Sequence, residues 1–131
     1  MNVLLIDDNS TSVFLTEMLL KREGFSTHTR SFLAAEEALP YLVQLLPDRV
    51  PEVIFLDLNM PVMDGWEFLD ALKPYEPALA ARCRIYVLTS SLAPADAIRA
   101  KEYSLVSGLI HKPVDSQMIK LIRAEMSERK N

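Results

Sequence analysis

The run Val53-Ile54-Phe55-Leu56 constrains this chain more than any other stretch, because every position is apolar and Asp57 closes it at once. A short apolar run without alternation suits a strand buried on both faces, as in a parallel sheet covered by helices. Asp57 then emerges where the strand leaves the core, and Pro61 with the Asp64-Gly65 pair turns the chain into a loop. In open α/β sheets that edge is where ligands bind and chemistry is done. An aspartate in that place can also do no more than cap the next turn, so Asp57 alone assigns no function.

The same pattern recurs. Val3-Leu4-Leu5-Ile6 is a second apolar run, and it too ends in acid, at Asp7-Asp8. Ser10 or Thr11 is placed to cap a helix with Phe14, Leu15, Met18 and Leu19 at helical spacing and Gly24 as its stop. Phe25 to Arg30 reads as a polar, alternating edge strand. Ser31 is then expected to cap a second helix through Leu33, Ala38, Leu42 and Leu45, with Pro40 removing one backbone bond and kinking it. After Val53 to Leu56, a third helix runs from about Gly65 through Trp66, Phe68, Leu69 and Leu72. Pro74 and Pro77 end it, and Ala78 to Arg82 adds a helical turn. Arg84 to Leu88 makes the fourth strand, and Pro94 opens a fourth helix with Asp96, Arg99, Lys101 and Glu102 on a polar face. Gly108 to His111 is the fifth strand, and Asp115 caps a last helix with an apolar stripe of Met118, Ile119, Ile122 and Met126.

Strands alternating with helices, without repeat or linker, predict one α/β domain over residues 1–131 with a parallel sheet and right-handed crossovers. A five-stranded unit of this length suits the flavodoxin-like (βα)5 sandwich in strand order 2-1-3-4-5, an order taken by analogy because periodicity does not fix it. The balance of 50% hydrophobic and 24% charged residues is that of a globular core. A net charge of −4, with no basic run before Arg129-Lys130, argues against nucleic-acid binding. The first apolar run is too short for a signal peptide or a membrane span, and the single Cys83 forms no intrachain disulfide, so a soluble, cytoplasmic domain is expected.

In a parallel sheet the residues after the strands converge on one edge. Here they are Asp7-Asp8, Asp57, Thr89 and Lys112. Three neighbouring carboxylates repel one another unless a cation neutralises them. Hard oxygen donors without a His or Cys cluster point to Mg²⁺, with the Asn59 backbone carbonyl as a further donor. Lysine adds a mobile cation and threonine a hydroxyl donor, a pair suited to a phosphoryl group. Singly, each has a plainer role: Asp7 and Asp8 at a helix start, Thr89 in a turn, Lys112 on the surface.

Asp7-Asp8, Asp57 within Leu-Asp-Leu-Asn-Met-Pro-Val-Met-Asp-Gly, Leu88-Thr89-Ser90 and Lys112-Pro113 together resemble the response-regulator receiver domains of two-component signalling, the CheY-like proteins. The resemblance spans the whole chain. It implies that Asp57 is the phosphoacceptor, taking a phosphoryl group from a sensor histidine kinase or a histidine phosphotransfer protein. It further implies Asp8 as a direct Mg²⁺ ligand, Asp7 as its partner through water, and Asn59 as a carbonyl ligand. Thr89 and Lys112 would bind phosphoryl oxygens, and Lys112-Pro113 is similar to the family's cis peptide. The implied output face is the fourth helix, fifth strand and fifth helix, used for an unidentified partner or a homodimer. No turnover of a separate substrate is expected. One position departs from the family: an aromatic usually stands three residues before the lysine, and here it is Leu109, with Tyr103 as a possible stand-in. His111 should alternate to the face opposite Lys112.

Three other readings compete. An aspartyl-nucleophile phosphohydrolase places Asp-x-Asp after its first strand, whereas this chain has Asp7-Asp8-Asn9. A flavin carrier needs a phosphate loop there, which two carboxylates would repel. A receiver-like docking module would not need the complete set of site residues.

Overall fold

The computed structural model describes residues 1–26 and 28–130, with side chains through residue 127. Strands β1 (Asn2–Ile6), β2 (His28–Phe32), β3 (Val53–Asp57), β4 (Arg84–Thr89) and β5 (Val106–His111) form one sheet. All neighbours are parallel, in the order β2-β1-β3-β4-β5, as expected. Helices α1 (Ser10–Arg22), α2 (Ala35–Gln44), α3 (Gly65–Leu72), α5 (Pro94–Ala100) and α6 (Ser116–Lys130) connect or follow the strands. A 3-10 turn, Lys73–Tyr75, and a short α4 (Glu76–Ala80) extend the third crossover, so the fourth and fifth expected helices are α5 and α6. Pro77 sits in the first turn of α4, where its missing N–H costs nothing.

Alternation along the strands splits the core in two. Leu4, Ile6, Ile54, Leu56, Ile85 and Val87 face Ala38 and Leu42 of α2 and Phe68, Leu69 and Leu72 of α3. Val3, Leu5, Val53, Phe55, Tyr86 and Leu88 face Val13 and Leu20 of α1 and Ile119 and Ile122 of α6. Both faces of β3 are therefore covered, which accounts for the unbroken apolar run.

Three local expectations need correction. The N-cap of α1 is Asn9, whose side chain accepts from the Ser12 amide at 3.0 Å, so Ser10 and Thr11 lie inside the helix. Its buried face is Val13, Thr16, Leu19 and Leu20, whereas Phe14, Leu15 and Met18 are 60%, 59% and 55% exposed. The second strand begins at His28 rather than Phe25. Gly24, at φ 63°, and Phe25 close α1 through bonds from the Gly24 amide to the Lys21 carbonyl and from the Phe25 amide to the Leu20 carbonyl. Phe25 is thus the buried residue of a helix cap. Ser31 belongs to β2, opposite Leu5, and its hydroxyl donates to Glu17 at 2.9 Å, so it caps nothing. α2 starts at Ala35 without a side-chain cap, has Glu36 and Glu37 in its first turn, and continues through Pro40 to Gln44. The last helix keeps its expected cap, with Asp115 accepting from the Met118 amide at 2.9 Å.

Candidate functional site

β1, β3, β4 and β5 deliver the residues at or just past their ends to one edge of the sheet, where Asp7, Asp8, Asp57 and Lys112 meet and Thr89 joins them through its backbone. Asp7, only 1% exposed, accepts from the Asn9 amide through Oδ1 at 3.0 Å, and its Oδ2 lies 2.8 Å from Lys112 Nζ. Asp57 ends β3 at 5% exposure. Its Oδ1 accepts from the Asn59 amide at 3.2 Å, and its Oδ2 lies 3.5 Å from the same ammonium. Asp8 is exposed, yet Asp7, Asp8 and Asp57 each offer an oxygen within 4.8 Å of the others. The Lys112 amide donates to the Thr89 carbonyl at 2.8 Å, which docks the lysine against the end of β4. The Lys112–Pro113 bond is cis.

Gly65 fixes the floor of the site. Its amide donates to the Leu58 carbonyl at 3.0 Å. A Cβ there would lie 2.7 Å from the Asp57 carbonyl oxygen and 2.8 Å from the Leu58 Cα. Only glycine lets α3 start this close to the strand that carries Asp57. Asp64 caps that helix in a reciprocal capping box with Glu67.

One ammonium, bonded to Asp7 and Asp57, is set against a cluster of three carboxylates, and the ionisation of the buried pair reflects it. Burial and the Asp7 charge push Asp57 up to about 6, against the pull of Lys112 and the Asn59 amide. Asp7 is lowered: burial opposes this, but Lys112 and the Asn9 amide prevail. Lys112 is raised, because its two carboxylate partners outweigh its own burial. Oxygen-only donors with this charge imbalance fit a hard divalent cation.

Thr89 is 1% exposed. Its hydroxyl accepts from the Ser91 amide at 3.0 Å and donates to Asp96 Oδ2 at 3.0 Å. Asp96 was expected on an outward polar face; it turns in, and Ile98 is the large exposed apolar residue of α5. Arg99 lies over the Trp66 ring at 4.6 Å. Tyr103 stacks on Trp66 at 5.5 Å and donates to Asp70 at 2.9 Å, which holds it against α3. Leu109 packs beside the core on β5, opposite Val87. His111 is exposed, with Nδ1 3.0 Å from the Lys112 carbonyl oxygen.

A doubly wound α/β domain with carboxylates and a lysine gathered at its carboxyl edge has the architecture expected of a receiver module of two-component signalling. The chain belongs to the response regulator receiver domain family, whose model matches residues 3–123. A two-component response regulator from Cytophaga hutchinsonii superposes with a TM-score of 0.89 at 26% identity, covering 97% of this chain and 96% of that one. The probable methanogenesis regulatory protein FilR2 of Methanothrix harundinacea is 31% identical over 96% of this chain and 81% of its own length. Hybrid signal transduction histidine kinase C of Dictyostelium discoideum is 28% identical over 92% of this chain, which spans only 10% of that protein.

Proposed function

We propose that the chain is a phosphorylation-activated switch in which Asp57 accepts a phosphoryl group from a histidine. The observation that carries this reading is Asp57 itself: a buried, strand-end carboxylate that shares one lysine with Asp7 beside a third acid. With a pKa of about 6 it is mostly ionised at neutral pH, as a nucleophile must be. An Asp57 oxygen attacks phosphorus in line; the P–O bond forms, the P–N bond to the donor imidazole breaks, and the departing nitrogen regains a proton. Lys112 transfers its contact from Asp57 to a phosphoryl oxygen, and the Thr89 hydroxyl donates to another. Hydrolysis later breaks the same P–O bond and ends the signal, so no separate substrate is turned over. Asp8, Asp57 and the Asn59 carbonyl, with Asp7 as their partner, would hold Mg²⁺, which would supply positive charge to the phosphoryl oxygens.

The donor is a sensor histidine kinase or a histidine phosphotransfer protein. The exposed strip Phe14, Leu15 and Met18 supports a docking surface for it, because α1 leaves the site directly after Asp8 and Val114 leaves it after Lys112-Pro113. Output passes through α5, β5 and α6 to a separate partner or a second copy. The single Cys83, a buried free thiol, supports a cytoplasmic setting. Acetyl phosphate with Mg²⁺ should add one phosphoryl mass that is lost in mild alkali. Equal labelling of Asp57→Ala would overturn the assignment.

A further inference from the structure

A threonine hydroxyl has one proton to give. Thr89 gives its proton to Asp96 Oδ2, in the first turn of α5, while its oxygen is engaged by the Ser91 amide. A proton committed to Asp96 is not available to a phosphoryl oxygen on Asp57. We propose that Asp96 is a positioning residue that competes with the phosphoryl group for the Thr89 hydroxyl and holds α5 in its resting place until that proton is withdrawn. The proposal rests on the receiver reading of the site.

Two features make the contact a switch with two settled ends. The first is the acceptor: hydrogen bonds to an ionised carboxylate are stronger than neutral ones, so the resting bond is not idle. The second is where Asp96 goes on release. α5 opens with Ala93 at its N-cap and no side-chain cap bond, leaving helix amides to be satisfied. Asp96 lies two residues after Pro94, in the turn where a carboxylate favours the helix dipole. Its carboxylate can therefore serve either Thr89 or its own helix. The first choice ties α5 to the end of β4, and the second frees it.

The test is calorimetric titration of beryllofluoride with Mg²⁺ into the wild type, Asp96→Ala, Thr89→Val and the double variant, with amide NMR spectra of each. Removing the competing acceptor should tighten binding of the phosphoryl mimic about three- to tenfold, the worth of one net hydrogen bond. The same change in the Thr89→Val background should do nothing, because no hydroxyl is left to compete for. Asp96→Asn, which keeps a neutral acceptor, should fall between wild type and Asp96→Ala. The resting α5 amides of Asp96→Ala should move toward their positions in the mimic-bound wild type. Unchanged affinity in Asp96→Ala, with the wild type binding normally, would overturn the proposal. So would a gain that persists in the Thr89→Val background, since Asp96 would then act through its charge alone. A wild type that binds no mimic would overturn the receiver reading itself and this proposal with it.

Discussion

Asp57 holds its proton more tightly in the folded chain than in water, which has a consequence for stability. Its folded pKa of about 6 stands above the 3.8 of an ordinary aspartate in water. Below the lower value both states are protonated and the group costs nothing. Between the two values the unfolded chain loses its proton first, so stability falls as pH rises, and above the upper value the loss is complete. Asp57→Asn should therefore stabilise the chelator-treated protein at pH 7–8, by about 3 kcal/mol at most. Thermal unfolding should show that gain shrinking as pH falls from about 6 to 4, and a gain independent of pH would contradict the cause given. Asp7, Asp8, Asp57, Thr89 and Lys112 were legible in the sequence because each lies at or just past the C-terminal end of a strand, and parallel strands end on one edge. Asp96 was not legible. Its pairing depends on how α5 is rotated, and an aspartate in a first turn reads equally as a dipole partner or a solvated charge.

Element boundaries were less legible than element identities. Phe25 looked like the start of β2 because an apolar residue after glycine suits a strand as well as a helix cap. The two Leu20 and Lys21 carbonyls that it and Gly24 satisfy are a matter of backbone geometry. The buried face of α1 is not legible for a related reason: Phe14, Leu15, Met18 and Leu19 keep helical spacing, but the sheet takes Val13, Thr16, Leu19 and Leu20. The loop from β3 to α3 holds a further surprise, since Val62 has φ 68° and is 87% exposed. A β-branched side chain in the left-handed region costs about 1–3 kcal/mol, and no burial is gained here in return. Asparagine tolerates that conformation. Val62→Asn should raise the unfolding midpoint in denaturant by an amount equivalent to about 1 kcal/mol, without changing the m-value. A lowered midpoint would mean that the valine is held by something other than its backbone.

At the scale of the molecule, the sheet carries two cores, one on each face, and a charged edge whose repulsion belongs to the folded state alone. Cation binding should relieve that repulsion. For a Mg²⁺ concentration about ten times Kd, the gain is about 1.4 kcal/mol, or roughly 5 °C in a domain of this size. Differential scanning calorimetry with Mg²⁺ and with chelator should show the increment, and Asp8→Ala should lose it without lowering the metal-free midpoint. A midpoint indifferent to millimolar Mg²⁺ would count against the site. The Trp66 stack has an optical consequence as well. Trp66 is the one tryptophan of the chain, it sits on α3, and the Arg99 guanidinium over its ring comes from α5. A cation at that distance perturbs the excited indole, so any displacement of α5 relative to α3 alters emission from a single, unambiguous source. The protein thus carries its own fluorophore across the boundary between α3 and α5, and under the function proposed above the switch would be followed in real time without a label.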